Sequence, residues 1–531
     1  MDYVSLYDTT LRDGTQGENV NLSVLDKIRI AQCLDDFGVD YVEGGWPGSN
    51  PRDMAFFEEA KKLKLKHTKI TAFGCTHRDK FEVAKDPLIT TLLEAETPVC
   101  TIFGKSWLLH VEEVLRVTPE RNLELIANTC SHLKANGREV VYDAEHFFDG
   151  YKDNPEYALS TVVAAATNGA DAIALCDTNG GSLPHEVFEI CTAVKAALPE
   201  NTVLGIHPHN DGELAVANAL AAVRAGARQV QGTINGIGER CGNVNLCSVA
   251  PALELKMDYK CLPEGKMKHL CEISRFVNDL ANLDPNIRQA YVGRSAFAHK
   301  AGVHVDALQK SATSYEHMLP ELVGNKRRIL VSDYSGGSNI LLKAAEHNID
   351  LKDSRSPEVR ATLAELKRLE HEGYEYEAAG ASFELLLRKQ LGDVDPFFEL
   401  DGFRVIVEKR GHDATPVSSA TVKVIVDGKT ELSAAEGDGP VNALDQALRK
   451  ALASFYPQIS EVTLRDYKVR ILDAESGTAA KTRVIIESTD GKKRWGTVGV
   501  NENIIEASWQ ALVDSVEHKL YCDKQDDADS Q

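Results

Sequence analysis

Residues 165–181, AATNGADAIALCDTNGG, pass from helix-forming alanines to Gly169, then to the apolar run Ala172–Cys176, and then to polar residues. A glycine at such a joint supplies the left-handed residue that closes a helix, and the short β-rich run after it predicts a buried strand. The same joint recurs in CLDDFGVDYVEGG (33–45), HLKANGREVVYDAEH (132–146) and AVRAGARQVQGTING (222–236), with Gly38, Gly137 and Gly226 in the place of Gly169. VSLYD (4–8), KITAFG (69–74), TPVCTIFG (97–104) and TVLGIHPH (202–209) bring the candidate strands to eight, alternating with helices from Tyr3 to about residue 255. That count predicts an α/β fold, a closed (β/α)8 TIM barrel assigned to residues 1–275. An open doubly wound sheet is the rival, but such sheets usually have fewer strands, and no G-x-G-x-x-G turn follows the first strand here.

Beyond the barrel the pattern changes twice. Residues 276–395, with SPEVRATLAELKRLEHEGYEYEAA (356–379), predict helical linker subdomains. Residues 396–522 then give FRVIVEKR, SATVKVIVDG and TELSAAEGDG before the helix PVNALDQALRKALASFY, and the order repeats in TLRDYKVRIL, KTRVIIESTDG, KRWGTVGV and ENIIEASWQALVDSVEHKL. Two βββα units at this spacing predict an α+β regulatory or dimerisation domain with a crevice between its halves. The last stretch, 523–531, is an acidic tail expected to be solvated and disordered.

Composition narrows the function classes. A net charge of −21 argues against nucleic acid and anionic membranes as partners. The eleven cysteines include no C-x-x-C pair, which fits reduced thiols in the cytoplasm better than a disulfide framework or a zinc ribbon. A strand-like YVSLY begins at Tyr3, where a secretory signal would need a basic start and an apolar stretch, and no run approaches the roughly 18 apolar residues of a membrane span.

In a barrel of this kind the loops after the strands form the working face. Asp8, Arg12 and Asp13 follow the first strand, Glu43 the second, Asp143 and Glu145 the fifth, and Asp177 and Thr178 the sixth. The seventh delivers HPHND (207–211). On an extended chain, residues i and i+2 face the same way, so His207 and His209 project together with origins about 7 Å apart and both can reach one ion. Barrel closure brings Asp13 from the first strand beside them, and Asn243, beyond the eighth, offers a neutral oxygen. Two imidazoles and a carboxylate form a common divalent-metal set, open to zinc, manganese, cobalt or magnesium. The alternative is an H-x-H of two unrelated histidines. Arg12 is either a surface ion-pair partner or a fixed cation facing developing oxyanion charge. Glu145 is either an ordinary rim carboxylate or a general base or orienting group, while Asp177 and Thr178 have helix capping as their alternative.

DTTLRDGTQ (8–16), Lys27, HPHND with LAVAN (207–218) and GIGERCGN (236–243) together resemble the signatures of the Claisen-condensing barrel enzymes, a family that includes isopropylmalate, homocitrate and citramalate synthases. The likeness continues through FAHKAGVHVDAL (297–308) and GDGPVNALDQAL (437–448), and so covers almost the whole chain. EGGWPGSNPRD (43–53), with Trp46 where isopropylmalate synthases would have Phe, is most similar to the branch whose acceptor is pyruvate. One departure is Glu213, which stands where the second signature usually has Gly.

The resemblance implies condensation of acetyl-CoA with a 2-oxo acid and release of CoA. It implies Asp13, His207, His209 and Asn243 as metal ligands, Arg12 against the developing charge, Thr178 on the substrate carboxylate and Trp46 against the acceptor side chain. Glu145, His304 and Tyr315 are the groups implied for proton removal. It also implies a homodimer, and a feedback amino acid, isoleucine, on the C-terminal repeat. Within the family, 2-oxoisovalerate or a homocitrate-forming acid are the other acceptors. Outside it, a lyase or carboxyltransferase on the same barrel would not need the C-terminal module, and a catalytically silent amino-acid sensor would not need the full set of Arg12, Asp13, His207 and His209.

Overall fold

Eight parallel strands close into a barrel in chain order: β1 (Ser5–Asp8), β2 (Tyr41–Gly45), β3 (Lys69–Cys75), β4 (Val99–Lys105), β5 (Glu139–Glu145), β6 (Ala172–Asp177), β7 (Val203–Pro208) and β8 (Gln229–Gly232). Closure is made by β1 against β8, with Leu6 opposite Val230 and Asp8 opposite Gly232. The four joint glycines all sit at positive φ, 98° at Gly38, 76° at Gly137, 109° at Gly169 and 111° at Gly226, so each ends its helix as the sequence predicts. The computed structural model describes residues 2–331, 335–351, 353–412, 415–472, 477 and 479–529.

The inward residues of the strands form two layers, because every second residue faces the axis. The lower layer is apolar and joins Tyr7, Tyr41, Val99, Val141 and Ala172. Two residues further along, the layer turns polar: Glu43, Thr101, Asp143, His207 and Gln231, all buried. Tyr7 stands in the lower layer and donates its phenol to Glu43 Oε2 at 2.5 Å, with Thr101 Oγ1 at 2.6 Å. Outside the strands, the helices bury Ile30, Leu34, Ile126, Leu133, Val187 and Val194 in the main core.

The barrel unit extends past the expected boundary. The helix Leu270–Ala281 spans residue 275 and buries Leu270, Ile273, Val277 and Ala281 in the barrel core, so the unit comprises Met1–Phe297 and a returning segment, Met318–Lys326. The second unit comprises Ala298–His317 and Arg327–Gln531. It opens with a two-stranded parallel pair, β9 (Ala298–His299) and β10 (Arg328–Ile329). The helices Gly302–Lys310, Gly337–Glu346, Pro357–Glu372 and Gly380–Leu391 account for the expected helical stretch.

Two antiparallel sheets follow, β11 (Glu399–Glu408), β12 (Val417–Val426) and β13 (Lys429–Gly437), then β14 (Thr463–Ile471), β15 (Thr482–Thr489) and β16 (Arg494–Asn501). Each leads into one helix, Pro440–Leu452 or Ile504–Asp529, as the repeat predicts. Even the irregularity repeats, since the first strand of each sheet shifts register near its start, at Leu400/Gly402 and at Leu464/Asp466. Val422, Val424, Leu444 and Leu448 from one half share a core with Val484, Ile486, Trp509 and Leu512 from the other. The acidic tail is not disordered from residue 523 as expected: the last helix carries on through Asp529, and residues 530–531 lie outside the described residues. None of the eleven cysteines is in a disulfide, and among the described residues no helix is long and apolar enough to cross a membrane.

Candidate active site

The turn after β1 is folded by Asp8, whose carboxylate accepts from the amide of Thr10 at 3.0 Å and from its hydroxyl at 2.7 Å. Thr10 Oγ1 in turn accepts from the amide of Ile234 at 2.9 Å, which ties this turn to the exit of β8. Burial pushes the Asp8 carboxyl up to about 7. The turn places Arg12 and Asp13 over the barrel mouth. Arg12 donates through Nε to Glu43 Oε1 at 2.5 Å and through Nη1 to Asp13 Oδ1, and its guanidinium lies over the Phe73 ring, 3.8 Å from the centroid. Burial opposes ionisation of Asp13, yet Arg12 and the two histidines hold its carboxyl below the ordinary range. For Glu43, burial wins over Arg12 and the carboxyl is raised.

The expected ligand residues meet at this mouth. Asp13 Oδ2 lies 3.3 Å and Asn243 Oδ1 3.1 Å from His207 Nε2. His209 follows β7, pairs with Asn243 in an isolated antiparallel bridge, and keeps its ring 5.4 Å from that of His207, centroid to centroid. Burial, and then His207, lower the His209 imidazole to about 4, which keeps it neutral and able to ligate.

Among the described residues no three His, Cys, Asp or Glu side chains stand placed to hold a metal ion. The donor chemistry still fits a divalent ion, because two atoms here are buried without any hydrogen-bond partner, Asp13 Oδ2 and His209 Nδ1. Each is an atom that a cation would satisfy, and a mixed nitrogen and oxygen set suits a first-row divalent metal.

Trp46 leaves β2 and packs edge-on against Phe73 and Phe103, with ring centroids 5.8 and 5.6 Å away. The loop that carries it is pinned by Asp53, which accepts from the Trp46 amide at 2.9 Å and from buried Lys27 at 2.6 Å. Lys27 also donates to the Gly44 carbonyl at 3.1 Å, so it braces the Trp46 loop and does not touch the ligand cluster. Glu145, at the end of β5, is paired with Lys105 at the end of β4.

Thr178 accepts from the His146 amide at 2.9 Å, and its carbonyl accepts from Arg240 at 2.7 Å. Arg240 also grips Asp211 at 2.8 and 2.9 Å, joining the loops after β6, β7 and β8. Neither Asp177 nor Thr178 caps the helix Pro184–Ala197, contrary to the capping alternative: Asp177 closes its own turn by accepting from the Ser182 amide at 3.2 Å and hydroxyl at 3.0 Å.

His304 and Tyr315 belong to the second unit, where their rings stack with centroids 4.1 Å apart and Tyr315 is exposed. Sequence reasoning missed Phe73, Phe103, Lys105 and Gln231. The signal for Gln231 was present in RQVQG, where two glutamines two residues apart interrupt a buried strand.

A closed parallel barrel with these groups at its mouth defines a barrel enzyme of the HMGL-like class, and the model of that family matches residues 3–277. Residues 291–373 match the homocitrate synthase post-HMGL domain-like model, and 377–520 the LeuA allosteric (dimerisation) domain. The chain is 59% identical to the (R)-citramalate synthase of Geobacter sulfurreducens, covering 98% of each, and 55% identical to that of Aquifex aeolicus, covering 98% of this chain and 99% of the other. The 2-isopropylmalate synthase of Carboxydothermus hydrogenoformans is 30% identical over 98% of each. The chain belongs to the HMGL-like family and, within it, to the citramalate synthases.

Proposed function

We propose that the chain joins the methyl carbon of acetyl-CoA to C2 of pyruvate and hydrolyses the thioester, giving citramalate and free CoA. The observation that carries this is identity of 59% and 55% to two citramalate synthases along essentially the whole chain, against 30% to an isopropylmalate synthase, with the resemblance's ligand residues meeting at one barrel mouth.

Asp13, His207, His209 and Asn243 are the residues that would hold a divalent ion of zinc, manganese, cobalt or magnesium. Such an ion supplies Lewis acidity to the carbonyl of the oxo acid. Arg12, fixed by Glu43 and Asp13 and backed by Phe73, offers a permanent cation to the charge that forms on that oxygen as the new bond is made. The Thr178 hydroxyl accepts from the His146 amide and so has its own proton to give to the substrate carboxylate. Trp46, seated on Phe73 and Phe103, limits the side chain that the acceptor can carry. Glu145, His304 and Tyr315 are the groups we assign to removal of the acetyl methyl proton.

The second unit is proposed to bind isoleucine as a feedback ligand and to form a homodimer, and the enzyme to act in the cytoplasm as an early step of isoleucine synthesis. Leu400, Ile406, Val407, Val469 and Ile471 are exposed on β11 and β14, apolar surface suited to a partner. Thiol release from acetyl-CoA across a panel of 2-oxo acids tests the reaction: pyruvate should be preferred, and equal rates with 2-oxoisovalerate would replace this reading by isopropylmalate synthesis. Isoleucine should inhibit the intact chain, and calorimetry without a heat of binding for isoleucine, leucine or valine would leave dimerisation alone.

A further inference from the structure

Gln231, wholly buried on β8, spans two groups of the barrel interior. Its Nε2 donates to Asp143 Oδ1 at 2.9 Å, with Gln229 Oε1 at 3.4 Å, and its Oε1 lies 2.8 Å from His207 Nδ1. Burial pushes the Asp143 carboxyl up to about 7, and in its ionised form it only accepts; the amide nitrogen, which also meets Gln229 Oε1, therefore faces Asp143 and the amide oxygen faces the imidazole. That oxygen has no proton to give. His207 therefore carries a proton on Nδ1.

The consequence appears on the other side of the ring. With Nδ1 protonated, neutral His207 has a bare lone pair at Nε2, and the atoms in front of it are Asn243 Oδ1 at 3.1 Å and Asp13 Oδ2 at 3.3 Å. Asn243 turns its Nδ2 toward the Ile237 carbonyl at 3.5 Å, which leaves its oxygen facing the imidazole. In the neutral ring three acceptors face one another with no proton among them, an arrangement a cation relieves.

We infer that Gln231, oriented by Asp143, is a tautomer lock: it commits His207 to the Nδ1–H form and presents Nε2, with Asp13 and Asn243, to a divalent cation. Both are positioning residues, acting through His207 and touching no substrate. The inference rests on the divalent-ion reading of this site and is independent of which oxo acid is consumed. An imidazolium bridging Asp13 and Asn243 is the competing state.

The test uses the full chain, stripped of metal. Histidine-selective 15N NMR near pH 7.5, with His207 assigned by its loss in His207→Asn, should show a protonated Nδ1 and an unprotonated Nε2. Titration with Zn2+ against a chelator should then show Gln231→Met binding 10- to 100-fold more weakly, the usual scale for losing an outer-shell partner. The double variant Gln231→Glu with Asp143→Asn exchanges donor and acceptor between the two strands but keeps an acceptor at His207 Nδ1, and should recover most of that loss.

A proton on Nε2 in the wild-type chain, undiminished Zn2+ affinity in Gln231→Met, or no Zn2+ binding by the wild type would each overturn the lock. If Gln231→Met does not fold, the wild-type spectrum decides alone. A chain that shows the lock but releases no thiol with pyruvate would refute the proposed reaction only.

Discussion

The barrel interior and the C-terminal repeats are both built from strands with a two-residue period, yet they use it in opposite ways. In β12 and β15 the alternation is regular, with Ala420, Val422, Val424 and Val426, and then Val484 and Ile486, turned into one core. In the barrel, the same period that puts Val141 in the apolar layer puts Asp143 two residues later in a buried polar one. Burying a carboxylate, an amide or an imidazole costs several kcal/mol unless it is partnered, so a whole layer of them is retained where chemistry requires it. Where alternation holds, it tells how the chain folds; where it fails inside a core, it tells where the chain acts.

The largest expected effect breaks the comparison at its polar end. His207→Ala or Asp13→Ala should remove both bound metal and turnover, a loss of at least about 10³ in kcat, while the second unit keeps its own unfolding transition in calorimetry. Full thiol release from a stringently metal-free wild-type chain would show that the polar layer serves something else. Arg12→Ala should cost less, about 10² in kcat with metal content unchanged, the scale of losing one oxyanion-stabilising group. A change confined to KM would make Arg12 a binder of ground state and transition state alike.

The same contrast explains what the sequence made legible. The barrel followed from the glycine joints, and the repeats from their order of strands and helices, because both depend on local chain chemistry. Asp13, His207, His209 and Asn243 could be grouped because barrel closure brings the ends of β1, β7 and β8 together. The partners of those residues could not. That Arg12 would lie on Phe73, that Lys27 would brace the Trp46 loop, and that Gln231 would sit between Asp143 and His207 are products of packing across strands far apart in sequence. The helix Leu270–Ala281 is a similar case: its periodicity shows an apolar face but not which core takes it.

Two smaller effects sharpen each side. Trp46→Ala should raise the relative specificity for 2-oxoisovalerate over pyruvate by about 10-fold or more, since each methylene that a pocket admits or rejects is worth roughly 1–3 kcal/mol; an unchanged ratio of kcat/KM values would remove Trp46 from the pocket wall.

On the other side, the second unit holds a buried Glu384 between His347 Nδ1 at 2.9 Å, His518 Nε2 at 3.2 Å and Arg388 at 2.8 and 3.0 Å. Burial opposes the His518 charge, but Cys522 and Glu384 raise it from the ordinary 6.5 to about 9. Glu384 is held well below the ordinary 4.5, against its own burial, by His347, His518 and Arg388. The raised group stabilises fully below its unfolded value and loses that contribution as pH climbs through the folded one, while the lowered carboxyl contributes above about 4.5 and loses it in acid. Stability of this unit should therefore fall by on the order of 2–3 kcal/mol between about pH 6.5 and 9. Calorimetric scans of wild type and His518→Gln should diverge in slope over that range, and parallel curves would sink the assignment.

The smallest effect concerns Glu213, the departure from the family's glycine. Its φ is +57°, so the loop after β7 keeps the left-handed conformation that glycine would favour, and the Glu213 amide still donates to the Asn210 carbonyl at 2.9 Å. A side chain in this region costs roughly 1–2 kcal/mol, whereas a glycine costs about 0.5–1 kcal/mol through the greater freedom of the unfolded chain. The first term wins narrowly. Glu213→Gly should thus stabilise the barrel by about 0.5 kcal/mol, read as a rise of a degree or two in Tm, with metal content and kcat unchanged because the side chain is exposed. A loss of stability would mean that Glu213 holds the loop by contacts outweighing its strain, and a loss of metal would mean that the backbone after His209 is set by this residue and not by the bridge to Asn243.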